Sequence, residues 1–313
     1  MSQFALEVKE LTKTIGKKTI VDDVSFQVER GEIFGLLGPN GAGKTTIIRM
    51  IVSLINRSGG TVLVNGHDLD DSFTAAMNEL GAIVENPEFY KYLSGYKNLR
   101  HYARMALSEI TEERINEVTE LVGLENAIHD KVRTYSLGMR QRLGVAQAIL
   151  HKPSILILDE PTNGLDPQGI REFRDYLRLL ASQGTSVLVS SHLLSEMQLM
   201  CDRFAIIEKG KLIHISSMND HETSETIDVK TIEVELSNPA LASKLLAEQM
   251  IDVKVTASKD NRITLAARKE QIPTINKLFV QNDIDVYEIL NVKATLEDRF
   301  LEITNKDKKE QTV

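Results

Sequence analysis

Along the first thirty residues apolar and polar side chains alternate, as in Leu6-Glu7-Val8-Lys9 and Val24-Ser25-Phe26-Gln27-Val28. A period of two predicts strands with one buried face, and this stretch reads as an antiparallel β edge. The unbroken apolar run Ile33 to Leu37 predicts a strand buried on both faces. After a glycine-rich stretch, Ile47, Ile48, Ile51, Leu54 and Ile55 recur at helical spacing, so strand, loop and helix follow directly. From about Phe89 to Leu150 the pattern is mainly helical. There Thr111 stands as a cap before Glu112 and Glu113, and Ile115, Val118, Leu121 and Val122 share one face. The runs Ile155 to Leu158 and Ser186 to Val189 bracket a charged helical segment, Gly169 to Ala181, which is the βαβ rhythm of a parallel sheet. A hairpin over Phe204 to Ile215, turning at Lys209-Gly210, closes this unit.

Residues 219–230 are polar and acidic and predict a linker. Beyond it the pattern gives strand Thr231 to Leu236, helix Pro239 to Met250 capped by Asn238, and strand Val253 to Ala257. A turn at Lys259-Asp260-Asn261, strand Arg262 to Ala266, helix Glu270 to Gln281 and strand Ile284 to Leu290 complete the series. The order β-α-β-β-α-β predicts a small α+β ferredoxin-like unit. A last helix, Leu296 to Thr304, opens with the capping box Thr295/Asp298, and the polar tail 305–313 is expected to be disordered. The expected division is therefore a first domain over 1–218, with a helical subdomain at about 89–150, a linker at 219–230, an accessory domain at 231–304 and the tail.

Composition narrows the chemistry. The 313 residues carry 37 basic and 45 acidic side chains, net −8, with 42% apolar residues, as in an ordinary soluble globular protein. Residues up to 218 sum to −3 and the remainder to −5, so neither part has the basic excess that a nucleic-acid partner would require. One cysteine, Cys201, excludes an internal disulfide and a Cys-rich metal site and reads as a small core residue. No window approaches the ~18 to 20 apolar residues of a membrane span, and Met1-Ser2-Gln3-Phe4 does not open a signal peptide. A cytoplasmic location is expected.

Gly38-Pro39-Asn40-Gly41-Ala42-Gly43-Lys44-Thr45 matches a phosphate-binding loop lying between a buried-type strand and a helix. Glycines let several backbone N–H groups face one oxyanion, and the following helix points its positive end at the same place. Lys44 is expected to bridge β- and γ-phosphates, and Thr45 to give its hydroxyl to Mg²⁺. Leu156 to Leu158 leads into adjacent Asp159 and Glu160; strand geometry would direct the two carboxylates to opposite faces and so to different roles. Asp159 suits Mg²⁺, which keeps several waters and uses few carboxylates. Glu160 is the candidate to hold an attacking water in line with the γ-phosphate.

With Tyr135-Ser136-Leu137-Gly138-Met139-Arg140-Gln141-Arg142 upstream of the carboxylate strand, the chain resembles the ATPases of ABC transporters, whose signature segment stands at this place. Asn163-Gly164-Leu165-Asp166 resembles the family's D-loop, His192 its switch histidine, and Glu85 falls at its Q-loop position. The resemblance covers about Leu6 to Ile215. It implies a P-loop ABC ATPase domain with a mainly parallel core sheet, an antiparallel β edge and a helical subdomain, ahead of the ferredoxin-like domain. It also implies ATP and Mg²⁺ as cofactors. ATP is then expected on residues 38–46, including Thr46. Lys44, Glu160 and His192 are the expected catalytic groups, and Thr45, Asp159 and Glu85 the metal contacts. Ser136, Leu137, Gly138 and Met139 would act, with Asp166, on a second ATP-binding subunit, a copy of this chain or a close homologue.

Three positions depart from the family pattern. Ile15 stands where an aromatic ring usually stacks on adenine, Glu85 replaces glutamine, and Leu137 and Met139 replace the usual Gly and Gln. Since this chain offers no membrane span, the resemblance implies a separate multi-pass permease, with the ATPase peripheral on the inner face of the membrane. The overall length, the run Ile83 to Tyr90 and the segment Leu296 to Leu301 resemble the bacitracin-resistance type of exporter. Antimicrobial peptides, drugs or lipid-like molecules are the cargo so implied. A soluble ABC ATPase of translation or DNA repair is the alternative, disfavoured by the single cassette and acidic balance. A non-catalytic nucleotide-dependent module would be signalled by loss of Lys44, Asp159, Glu160 or His192, and all four are present.

Overall fold

The alternating N-terminal segments form β1 (Phe4–Ile15) and β2 (Lys18–Glu29), paired antiparallel. In the computed structural model, which describes residues 3–217, 229–249, 253–259 and 261–291, the chain divides into two compact units, Met1–Met218 and Asn219–Val313. The first unit continues with β3 (Ile33–Leu37), α1 (Lys44–Ile51), β4 (Gly59–Val64), β5 (His67–Asp68), α2 (Phe73–Asn78) and β6 (Leu80–Ile83). Helices α3 (Gly95–Ala103), α4 (Glu112–Leu121) and α5 (Leu137–Ala148) follow. Then come β7 (Ile155–Asp159), α6 (Pro167–Ser182), β8 (Ser186–Ser191), α7 (Leu194–Met200), β9 (Arg203–Glu208) and β10 (Lys211–Ser217).

Two sheets organise this unit. The core sheet runs β10-β9-β3-β8-β7-β6, parallel from β9 to β6 with β10 antiparallel at the margin. All residues of β3, β7 and β8 are buried, which is why their sequences are apolar runs rather than alternations. The antiparallel strands are a separate four-stranded sheet, β2-β1-β4-β5, rather than an edge of the core sheet. The reason is Val62 and Val64 of β4, which pair with Val8 and Leu6 of β1 and are wholly buried with them. Helix α1 also stops short of its apolar periodicity: it ends at Ile51, Ser53 takes a left-handed φ of 57°, and Leu54 is 62% exposed. Cys201 is buried at the end of α7 against Met197, and burial pushes its thiol well above the usual range.

The second unit comprises β11 (Val229–Leu236), α8 (Pro239–Gln249), β12 (Lys254–Lys259), β13 (Arg262–Arg268), α9 (Ile272–Gln281) and β14 (Val286–Asn291). Its sheet runs β12-β13-β11-β14, antiparallel throughout, the strand order of a ferredoxin-like split βαβ. Val234, Leu236, Ile263, Leu265, Leu246 and Phe279 are wholly buried in its core. Asn238 caps α8 by accepting from the Leu241 N–H at 3.1 Å. Helix α9 begins two residues after the expected Glu270, because a short 3₁₀ turn, Lys269–Gln271, precedes it and Pro273 occupies its first turn. Val229 and Lys230 belong to β11 rather than to the linker. The rest of the expected linker, Met250, Asp260, the helix Leu296 to Thr304 and the tail lie outside the described residues.

Candidate functional site

Strand β3 delivers the chain into the loop 38–43 through two close contacts. The Gly38 N–H donates to Ser191 O at 3.3 Å, and a Cβ at Gly38 would stand 2.2 Å from Ile207 O, so no larger residue fits. Gly43 then turns the backbone into α1 with φ 109°, a conformation open to glycine. Helix α1 has no side-chain cap and no acid in its first turn. By contrast α3, α4, α5 and α6 are capped by Ser94, Thr111, Ser136 and Asp166. The N–H groups at the start of α1 therefore remain available to an anion at the positive end of the helix.

Lys44 crosses the loop from the first position of α1. Its side chain is 5% exposed, and Nζ donates to Gly38 O at 2.8 Å and lies 3.1 Å from Glu160 Oε1. Asp159 ends β7 and is buried, its Oδ1 accepting from Ser190 Oγ at 2.6 Å. The same Ser190 oxygen accepts the Glu160 N–H at 2.9 Å. Glu160 itself is not a strand residue: its φ is 48°, so the carboxylate is redirected by a left-handed turn and not by strand alternation. That turn brings Glu160 between Lys44 and His192, whose Nδ1 donates to Oε2 at 2.8 Å. Lysine, glutamate and histidine thus form a continuous row across the ends of β3, β7 and β8. A non-glycine residue held at positive φ costs about 1 to 3 kcal/mol and persists where its surroundings fix it.

The other sequence candidates group elsewhere. Ser136 begins α5, its Oγ accepting from the Met139 N–H at 3.2 Å, and Asp166 begins α6, its Oδ1 accepting from the Gly169 N–H at 2.8 Å. Ser136, Leu137, Gly138, Leu165 and Asp166 share a pocket of about 440 Å³ whose lining includes none of Lys44, Glu160 or His192. Glu85 is not brought to the carboxylate row either. It leaves β6 with φ 67°, its side chain is 63% exposed, and its carboxylate is ion-paired with Arg49 in the last turn of α1. In this arrangement the expected metal contact Glu85 is engaged by Arg49 instead. Ile15 is 60% exposed at the end of β1.

Ser190 has no role in the sequence reading beyond its place beside His192, yet it joins Asp159 to the backbone of Glu160. Its only sequence signal is a hydroxyl near the end of an apolar strand, two residues before the histidine. Thr162 and Glu196 are likewise missed; the Thr162 hydroxyl donates to Glu196 Oε2 at 2.6 Å across a gap of 34 residues.

A family profile described as ABC transporter matches residues 21–163. The chain is 53% identical to the ABC transporter ATP-binding protein YhcH of Bacillus subtilis (strain 168), over 97% of each chain. It is 39% identical to the bacitracin transport ATP-binding protein BcrA of Bacillus licheniformis, over 95% of this chain and 96% of that one. Among solved structures, the ATP binding subunit of an ABC transporter matches with TM-score 0.63 at 29% identity, over 71% of this chain and 94% of that chain.

Proposed function

The chain belongs to the family of ABC-transporter ATP-binding subunits, and from that premise we propose that it drives a separate multi-pass permease exporting an antimicrobial peptide, or a drug- or lipid-like molecule. It is an ATPase of the P-loop ABC fold. Its proposed place is the inner face of the cell membrane, attached through the permease; no helix among the described residues is long and apolar enough to cross a membrane itself. The cargo class rests on BcrA, a bacitracin transport protein alike over nearly the whole of both chains. The alternative of a soluble ATPase in translation or DNA repair has no such support.

One observation carries the catalytic reading: Glu160 lies between Lys44 and His192 beside an uncapped helix end. The N–H groups of residues 41 to 46 and Nζ of Lys44 would hold the phosphates of ATP, with Pro39 and Asn40 shaping the loop. Glu160 accepts a proton from water and orients its oxygen toward the γ-phosphorus, while His192 contacts the γ-phosphate oxygens and holds the carboxylate. The donor set suits Mg²⁺: Asp159 is buried, and among the described residues its carboxylate accepts one hydrogen bond, at Oδ1 from Ser190. Thr45 and Asp159 would hold the ion, which when bound neutralises charge across the β- and γ-oxygens.

A second ATP-binding subunit completes the proposal. Ser136, Gly138 and Asp166 line a pocket without lysine or catalytic acid of its own, which supports their acting on the nucleotide of a head-to-tail partner. The test is purification of the tagged full chain from detergent-solubilised membranes of its own organism. A polytopic membrane protein in fixed proportion is the expected result; a preparation carrying ribosomes or DNA without a membrane protein would reject the transport reading.

A further inference from the structure

Glu196 lies in the first turn of α7, outside every motif of the nucleotide site. Its Oε2 accepts from Thr162 Oγ1 at 2.6 Å and from Ser191 Oγ at 3.4 Å. Thr162 is 5% exposed and stands two residues beyond Glu160 in the turn that Asn163 N closes onto Glu160 O at 3.2 Å. Ser191 is 1% exposed, ends β8 immediately before His192, and accepts the Leu193 N–H at 3.0 Å. One carboxylate oxygen therefore ties the segment that carries Glu160 to the strand end that carries His192.

The turn needs such a tie. Glu160 is held at φ 48°, a conformation that lasts only where neighbouring contacts over-determine it. Ser190 fixes the Glu160 N–H on one side, and the bond from Thr162 to Glu196 fixes the chain on the other. A charged acceptor with a 2.6 Å hydroxyl bond is among the stronger hydrogen bonds available to that turn. The Glu196 carboxylate and the Thr162 and Ser191 hydroxyls make no contact with Lys44 or the loop 38–43, which Ser191 meets only through its carbonyl on the Gly38 N–H, so the tie bears first on the water-orienting carboxylate.

We propose that Glu196 is a positioning residue for hydrolysis, holding Glu160 and His192 in one frame through Thr162 and Ser191. This rests on the reading of Glu160 as the group that orients the attacking water. Displacing such a group by about 1 Å costs up to about a hundredfold in rate, so the effect falls mainly on kcat, with only a small change in KM for ATP.

The experiment compares the purified full chain with Glu196→Ala, Glu196→Gln, Thr162→Val and the double variant Glu196→Ala/Thr162→Val. Steady-state ATP hydrolysis, affinity for a fluorescent ATP analogue and thermal midpoint are measured for each. Expected are a fall in kcat of about ten- to a hundredfold for Glu196→Ala and Thr162→Val, with analogue affinity within about twofold. Glu196→Gln, which keeps an acceptor oxygen, regains most of the rate, and the double variant is no worse than either single one. The proposal is overturned by a wild-type kcat in Glu196→Ala, by equal loss in Glu196→Ala and Glu196→Gln, or by additive losses in the double variant. Glu160→Gln serves as the reference. If that variant turns over at the wild-type rate, the reading of Glu160 fails; if it is inactive while Glu196→Ala is not, the positioning role alone fails.

Discussion

The N-termini of α1 and α5 are both expected to face phosphate, yet they treat their free N–H groups in opposite ways. At α1 no side chain caps the helix, and Lys44, Glu160 and His192 crowd the opening. At α5 the chain satisfies an N–H itself, Ser136 Oγ accepting from Met139 at 3.2 Å, and the neighbouring pocket holds no member of that row. The first terminus carries charge and acid–base groups and can do chemistry on a phosphate. The second offers a hydroxyl and a glycine surface beside Arg142, Asp166 and Glu172 but no lysine, and is suited to closing over a phosphate already held. The difference is a physical reason for the proposed pairing of two subunits, since each chain carries one terminus of each kind and neither kind replaces the other.

Substitutions at the two termini break this contrast most directly, and the largest expected effect is at Glu160. Glu160→Gln is expected to lower ATP turnover by about a hundred- to ten-thousandfold while ATP binding, measured by equilibrium titration, is retained. Lys44→Ala removes a nearly buried cation from phosphate and from Glu160; affinity for ATP should fall by about ten- to a hundredfold, as charged hydrogen bonds of this kind contribute about 1.5 to 3 kcal/mol. Ser136→Ala acts on the other terminus. It should cost about 1 kcal/mol of stability through the lost cap, seen as a drop of about 2 to 4 °C in thermal midpoint, with ATP titration of the monomer unchanged and hydrolysis reduced.

A substitution away from both termini sharpens the comparison at its edge. Ile15 offers no ring to a base and is 60% exposed, so Ile15→Tyr should tighten nucleotide binding by up to about 1 to 3 kcal/mol of added stacking, for ATP and GTP alike. Unchanged affinity for both ATP and GTP in competition binding would remove Ile15 from base recognition.

Those predictions rest on groups that were plain in the sequence, because glycines, a lysine and adjacent acids at fixed spacing have few other uses. The buried runs of β3, β7 and β8 were equally plain, as was the β-α-β-β-α-β alternation of the second unit. What escaped is set by distant contacts. Nothing local in Gly59 to Val64 tells that it will flank β1 and convert an edge into a sheet. The left-handed turn at Glu160 is likewise silent, since glutamate has no preference for positive φ and the turn is held by Ser190, thirty residues on. The partner that Glu85 takes, Arg49, 36 residues earlier, has no local signal either.

The most direct test of two complementary termini is the mass of the full chain carrying Glu160→Gln, measured by light scattering on size-exclusion chromatography with and without ATP and Mg²⁺. The account predicts a monomer of 35.1 kDa without nucleotide and a species of twice that mass with it, reverting to monomer when Gly138→Asp is added to the signature surface. A chain that binds ATP in full and stays monomeric, or a dimer indifferent to Gly138→Asp, would contradict it.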